Sequence, residues 1–200
     1  MSLQELSPAT RAVRAAVTAD REHGAVMPPL HLSSTFALEG FGRPRAFEAI
    51  LYGGLAVSVL DGLAASANAA VRGTSPFRVW QYVASGLLGQ ASFEGGWATC
   101  LLGILAHVFV AFAAATVYYL LSLKFPVLIR RPVLCGVLYG VAVHLFMSRV
   151  VVPLSAAREF PFSWSPFLTA VVIHILFVGL PIALLARRSA KANREASEAV

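Results

Sequence analysis

Polar and apolar positions divide this chain at about residue 46. The first 45 residues mix charges, prolines and glycines with short apolar pieces. From Ala49 onward, long apolar runs are broken only by isolated polar residues. A helix crossing a bilayer needs about 20 mostly apolar residues. Four runs meet that length: 49–71, 97–122, 133–153 and 167–186. The first is Ala/Ser-rich and holds Asp61 and Asn68. Residues 72–96 are too short and too polar to cross. Their apolar positions Val79, Val83, Leu87 and Leu88 recur at helical spacing, which predicts a short amphipathic helix in the interface, with a re-entrant segment as the alternative. The fold expected is an all-α four-helix transmembrane bundle over 46–190, preceded by a poorly ordered arm (1–45, with a helix at 8–19) and followed by a basic tail (191–200).

Composition agrees with the pattern. Of 200 residues, 58% are hydrophobic and 13% charged, and the mean hydropathy is +0.71. Soluble domains carry about 25% charged residues. The net charge of +6 is read as membrane orientation, so no nucleic-acid partner is expected. The arm holds no apolar core of a signal peptide, which predicts a cytoplasmic N-terminus. The inner boundary then carries Arg43, Arg45, Lys124, Arg130, Arg131, Arg187, Arg188, Lys191 and Arg194; the outer carries Arg72, Arg78, Arg149 and Arg158. That asymmetry predicts an inner-membrane protein with both termini in the cytoplasm. Trp80, Trp97 and Trp164 fall at the expected outer boundary, where amphipathic rings settle. Cys100 and Cys135 are expected about a membrane apart, without a disulfide.

Small residues recur every fourth position in three spans. The first has Gly54, Ser58, Gly62, Ser66 and Ala70. The second has Gly103, His107, Ala111 and Ala115, and the third Gly136, Gly140, His144 and Ser148. Helices in lipid associate through such faces because their backbones approach closely. Pro181 is expected to kink the fourth span.

Candidate chemistry is confined to four ionisable residues, one per span: Asp61, His107, His144 and His174. Counting about 1.5 Å per residue places all four roughly 16–22 Å from the inner boundary. Ionisable groups at that depth usually face the bundle interior. Three readings are open. Each histidine fastens two helices by a hydrogen bond, in a protein of structural or accessory role. Alternatively, the four residues ligate a metal or haem iron. Alternatively, they move protons or a solute, through a homo-oligomer because four helices are few for one pathway. No HExxH or comparable spacing within one helix adds to the metal reading, and no catalytic constellation is visible, so the first leads.

The opening arm reads differently. Thr10-Arg11-Ala12-Val13-Arg14, Gly24-Ala25-Val26 with Pro28-Pro29, Leu32-Ser33-Ser34-Thr35-Phe36 and Glu39-Gly40-Phe41-Gly42 with Pro44-Arg45 follow one another. Residues 10–45 resemble the N-terminal arm of cystathionine γ-synthase and related pyridoxal-phosphate enzymes of Cys/Met metabolism. The resemblance implies a fragment joined to a membrane protein, by fusion or a misplaced start. Where the family continues with a Tyr-Ser-Arg segment, this chain has Ala46-Phe47-Glu48-Ala49. Its two lysines are Lys124 and Lys191, neither placed as a Schiff-base lysine, so no PLP and no transsulfuration are expected. Residues 46–190 resemble small, uncharacterised bacterial inner-membrane proteins in layout alone, and the bilayer is the partner expected.

Overall fold

The computed structural model describes residues 45–158 and 160–198, and the regular structure among them is helical. The expectations for the arm, including its helix at 8–19, fall outside the described residues. The helices are α1 (Ala46–Val71), α2 (Pro76–Leu88), α3 (Gly96–Lys124), the short α4 (Val127–Arg130), α5 (Pro132–Leu154) and α6 (Trp164–Ala196, continuing to Glu198). Helices α1, α3, α5 and α6 are long and apolar enough to cross a membrane.

Local chemistry sets the ends. Gly73 has φ +73°, a conformation that costs glycine nothing. It lets the Thr74 N–H reach the Ala69 carbonyl and the Gly73 N–H the Ala70 carbonyl, at 2.8 and 3.0 Å. This crossed pair satisfies the carbonyls at the end of α1. Ser75 is extended and Pro76 opens α2, where a missing N–H is harmless. Pro132 opens α5 in the same way.

Packing reverses the pattern of a soluble protein. Phe109 and Leu63 are 74% and 64% exposed, whereas Ala111 and Ala183 are 3% and 0% exposed. Large apolar side chains face outward and small ones face the neighbouring helix, as close helix approach in hydrocarbon requires. Helix α1 packs on α3 and α6, and α6 packs on α5. The tyrosine pair Tyr118 and Tyr139, rings 5.0 Å apart, closes α3 against α5. Each hydroxyl donates to a main-chain carbonyl, Tyr118 to Leu128 at 3.0 Å and Tyr139 to Ala114 at 2.7 Å. At the other edge, Ser189 Oγ accepts from the Arg45 N–H at 2.8 Å and ties the start of α1 to α6.

The glycines singled out in the sequence sit at helix contacts. A Cβ at Gly54 would meet the Phe112 ring and one at Gly62 the Trp80 ring. At Gly140 it would lie 2.6 Å from the His174 carbonyl oxygen, and at Gly136 it would lie 3.0 Å from that of Gly179. At Gly103 it would strike the Trp80 carbonyl oxygen. Ser58 Oγ donates to Gly54 O on its own helix, at 2.7 Å.

Two expectations change form. Both α5 and α6 contain a π-helical turn, Met147–Val151 and Ile175–Gly179, each ending two residues before a proline. A proline cannot bond to the carbonyl four residues back and its ring collides with it. Those carbonyls belong to Arg149 and Phe177, the central residues of the two wide turns. The disturbance expected at Pro181 is thus a wide turn upstream of it.

Helix α2 does not stand apart from the bundle either. It buries Gln81, Ala84 and Ser85 against its neighbours and leaves Leu87 and Leu88 exposed. Its small, polar face packs on α3, where Gln81 Nε2 lies 3.4 Å from Thr99 Oγ1. Trp80 therefore differs from Trp97 and Trp164, which are 80% and 68% exposed. Its ring lies between Gly62 of α1 and His107 of α3.

Candidate functional site

Residues of all four spans line a small, partly open cavity of about 80 Å³. Asp61 enters from α1, His107 from α3 and His174 from α6. Val57, Val110, Ala111, Ala114, Val143, Met147 and Val178 complete the wall. Three of the four ionisable residues named from the sequence thus meet. The fourth, His144 of α5, lies behind His174 with the ring centroids 4.9 Å apart. It is not part of the cavity lining.

Each histidine is held differently. His107 Nε2 lies 3.3 Å from the Ser58 carbonyl of α1. A carbonyl only accepts, so this nitrogen carries the proton and donates. In the neutral ring Nδ1 then keeps a lone pair. The Trp80 ring packs edge-on to His107 at 5.4 Å. His174 Nδ1 lies 2.9 Å from the Ala170 carbonyl, one turn back on its own helix. By the same logic Nδ1 donates and Nε2 keeps the lone pair. His144 is 8% exposed and packs against His174 and the Phe167 ring, the latter at 5.2 Å. Its Nε2 is buried with no hydrogen-bond partner among the described residues. Of the interhelical hydrogen bonds expected from the histidines, the structure contains that of His107.

Asp61 shares the unpartnered state of His144, but at the cavity wall. Its Oδ1 is buried and has no hydrogen-bond partner among the described residues. An unsatisfied buried carboxylate oxygen is costly, and it is the kind of group that marks a function. Among the described residues, the cavity wall offers no hydroxyl, thiol or amine. Among the described residues, no three His, Cys, Asp or Glu side chains are placed to hold one metal ion. Cys100 is buried near the start of α3 and Cys135 half-buried near the start of α5, both free. Lys124 and Lys191 lie at helix ends away from the cavity. What the arrangement can do chemically is accept hydrogen bonds and hold a proton or a small guest.

Local sequence signals explain most of this placement. Asp61 precedes Gly62, whose missing side chain makes room for Trp80, and His107 follows Gly103 by one turn on the same face. Two participants are new. Trp80 supports His107 from α2. Gly179 lies against Gly136 and Gly140, so that α5 and α6 meet backbone to backbone. The spacing Gly179, Ala183, Ala186, Ala190 was the signal for the second.

No family model and no solved structure matches the chain. Among curated proteins it is similar to cystathionine gamma-synthase of Escherichia coli, with 50% identity over 40 residues. Those residues are 20% of this chain and 10% of that protein, so the chain spans about a tenth of the relative's length, the extent of a fragment.

Proposed function

We propose that this chain is an integral protein of a bacterial inner membrane, with both termini cytoplasmic and a structural or accessory role without catalysis of its own. The observation that carries this reading is the use made of the histidines. The N–H groups of His107 and His174 are spent on main-chain carbonyls, and among the described residues the wall around them carries no hydroxyl, thiol or amine. The orientation rests on the nine basic residues named for the inner boundary against four for the outer. Metal analysis and an absorption spectrum of the full chain purified in detergent test the reading. The expected result is no stoichiometric transition metal and no haem band. A stoichiometric metal or a Soret band lost in His107→Leu and His174→Leu overturns it in favour of a metal or haem protein.

A second reading, passage of protons or a small solute through a homo-oligomer, is favoured by the unpartnered Oδ1 of Asp61 beside the cavity. It requires flux in proteoliposomes that Asp61→Asn abolishes.

A further inference from the structure

The hydrogen-bonding character of the cavity is one-sided. Main-chain carbonyls fix which nitrogen of His107 and His174 bears the proton, so each neutral ring has only a lone pair left to offer. Asp61 adds a buried carboxylate oxygen with no donor among the described residues. The rest of the wall among the described residues is valine, alanine and methionine, whose side chains donate nothing. Among the described residues, three with only acceptors left to offer therefore line one space. Such a space is complementary to a guest that brings its own protons.

Size and charge narrow the guest. A water-sized group needs at least about 10–15 Å³ of such space. The 80 Å³ here therefore admit a few heavy atoms. A neutral water satisfies the acceptors but leaves the carboxylate charge uncompensated in hydrocarbon. Alkaline-earth ions need a shell of oxygens, which imidazole nitrogens do not supply. A transition metal needs a convergent ligand set, which the described residues lack. We propose that the cavity between Asp61, His107 and His174 binds a small N–H-bearing monocation, ammonium or a short primary alkylammonium. Its N–H groups donate to Asp61 Oδ1 and, through a water that the 80 Å³ also admits, to the imidazole nitrogens, so the three acceptors need not converge on one atom as metal ligands must, and its charge balances Asp61. The inference goes beyond both readings above, because it concerns equilibrium occupancy and not passage. A chain that binds ammonium but passes neither protons nor solute loses the second reading alone.

The test uses the full chain in detergent. Its thermal unfolding midpoint is followed while ammonium or methylammonium chloride replaces sodium chloride at constant ionic strength. Tetramethylammonium, which has charge but no N–H, is the control. At about five times the dissociation constant, a rise of roughly 2–4 °C over the sodium sample is expected for ammonium and methylammonium. No rise is expected with tetramethylammonium. Asp61→Asn removes the charge and His174→Leu one lone pair; each is expected to cancel the saturable rise, and either suffices if the other does not fold. A wild-type midpoint no higher in ammonium than in sodium overturns the proposal without any variant. So does an equal rise in Asp61→Asn, which places the ion elsewhere.

Discussion

Gly179→Val is expected to abolish the folded bundle. A Cβ at this position would strike the Gly136 carbonyl oxygen and lie 2.6 Å from the Gly140 nitrogen. Both are main-chain atoms and cannot rotate away, so α5 and α6 must separate to admit it. Overpacking a core costs about 1–3 kcal/mol when side chains can shift, and more when they cannot. A cost of at least about 3 kcal/mol is expected here, against a total stability of about 5–15 kcal/mol for a typical domain. The readouts are the yield of monodisperse protein in mild detergent and the midpoint of unfolding in SDS. Gly86→Ala is the matched control. Its Cβ would meet Ser155 Cβ at an ordinary 3.7 Å, and little change is expected. A Gly179→Val protein that unfolds like wild type would mean that α5 and α6 do not cross there.

Trp80→Ala is expected to cost about 2–4 kcal/mol. Burying or exposing a tryptophan ring matters at about 3–5 kcal/mol in soluble cores. The lower range applies because the ring is only half-buried and lipid can enter the gap. What the ring fills is the space over Gly62 and against His107, so its loss unseats α2 from both α1 and α3. Unfolding midpoints of Trp80→Ala and Trp80→Phe in one detergent measure it, with the phenylalanine variant expected between wild type and alanine. If α2 merely rested in the interface, the alanine variant would lose less than about 1 kcal/mol, as surface substitutions do.

The contrast between these two sites shows what a sequence of this kind makes legible. Hydropathy adds over about 20 residues, so the spans stand out. The run 49–71 became Ala46–Val71, and 97–122 became Gly96–Lys124. Small residues at every fourth position identify a face, and Gly103, Gly136 and Gly140 duly lie at crossings. Rise per residue brought Asp61, His107 and His174 to one level, because a straight helix converts sequence number into depth. The seat of α2 was not legible. An apolar stripe such as Val83 and Leu87 suits a helix resting in the interface as well as one packed against α3; here both border an apolar groove with Leu102 and Phe109 of α3 and Val151 of α5. The side that decides between them is the small, polar one, Gln81, Ala84 and Ser85. Gly179 escaped because its neighbour Pro181 marks a break there, and the wide turn that presents its backbone shifts the register of the small residues Gly179, Ala183, Ala186 and Ala190 away from a strict fourth-position repeat. Which nitrogen of each histidine carries its proton, and the isolation of Asp61 Oδ1, depend on rotamers and partners on other turns. No spacing rule reports those.

The claim beneath all of this is that α1, α3, α5 and α6 cross a membrane with the α1–α2 turn on the outside and the end of α6 within. Thiol labelling with a membrane-impermeant maleimide tests it most directly, on a Cys100→Ala, Cys135→Ala background carrying Thr74→Cys or Lys191→Cys. Both positions are exposed, Thr74 in the turn after α1 and Lys191 near the end of α6. In intact bacterial cells Thr74→Cys is predicted to react and Lys191→Cys to react only after permeabilisation. Reaction of Lys191→Cys with Thr74→Cys protected would reverse the orientation, and recovery of the protein in the soluble fraction would contradict the four crossings themselves.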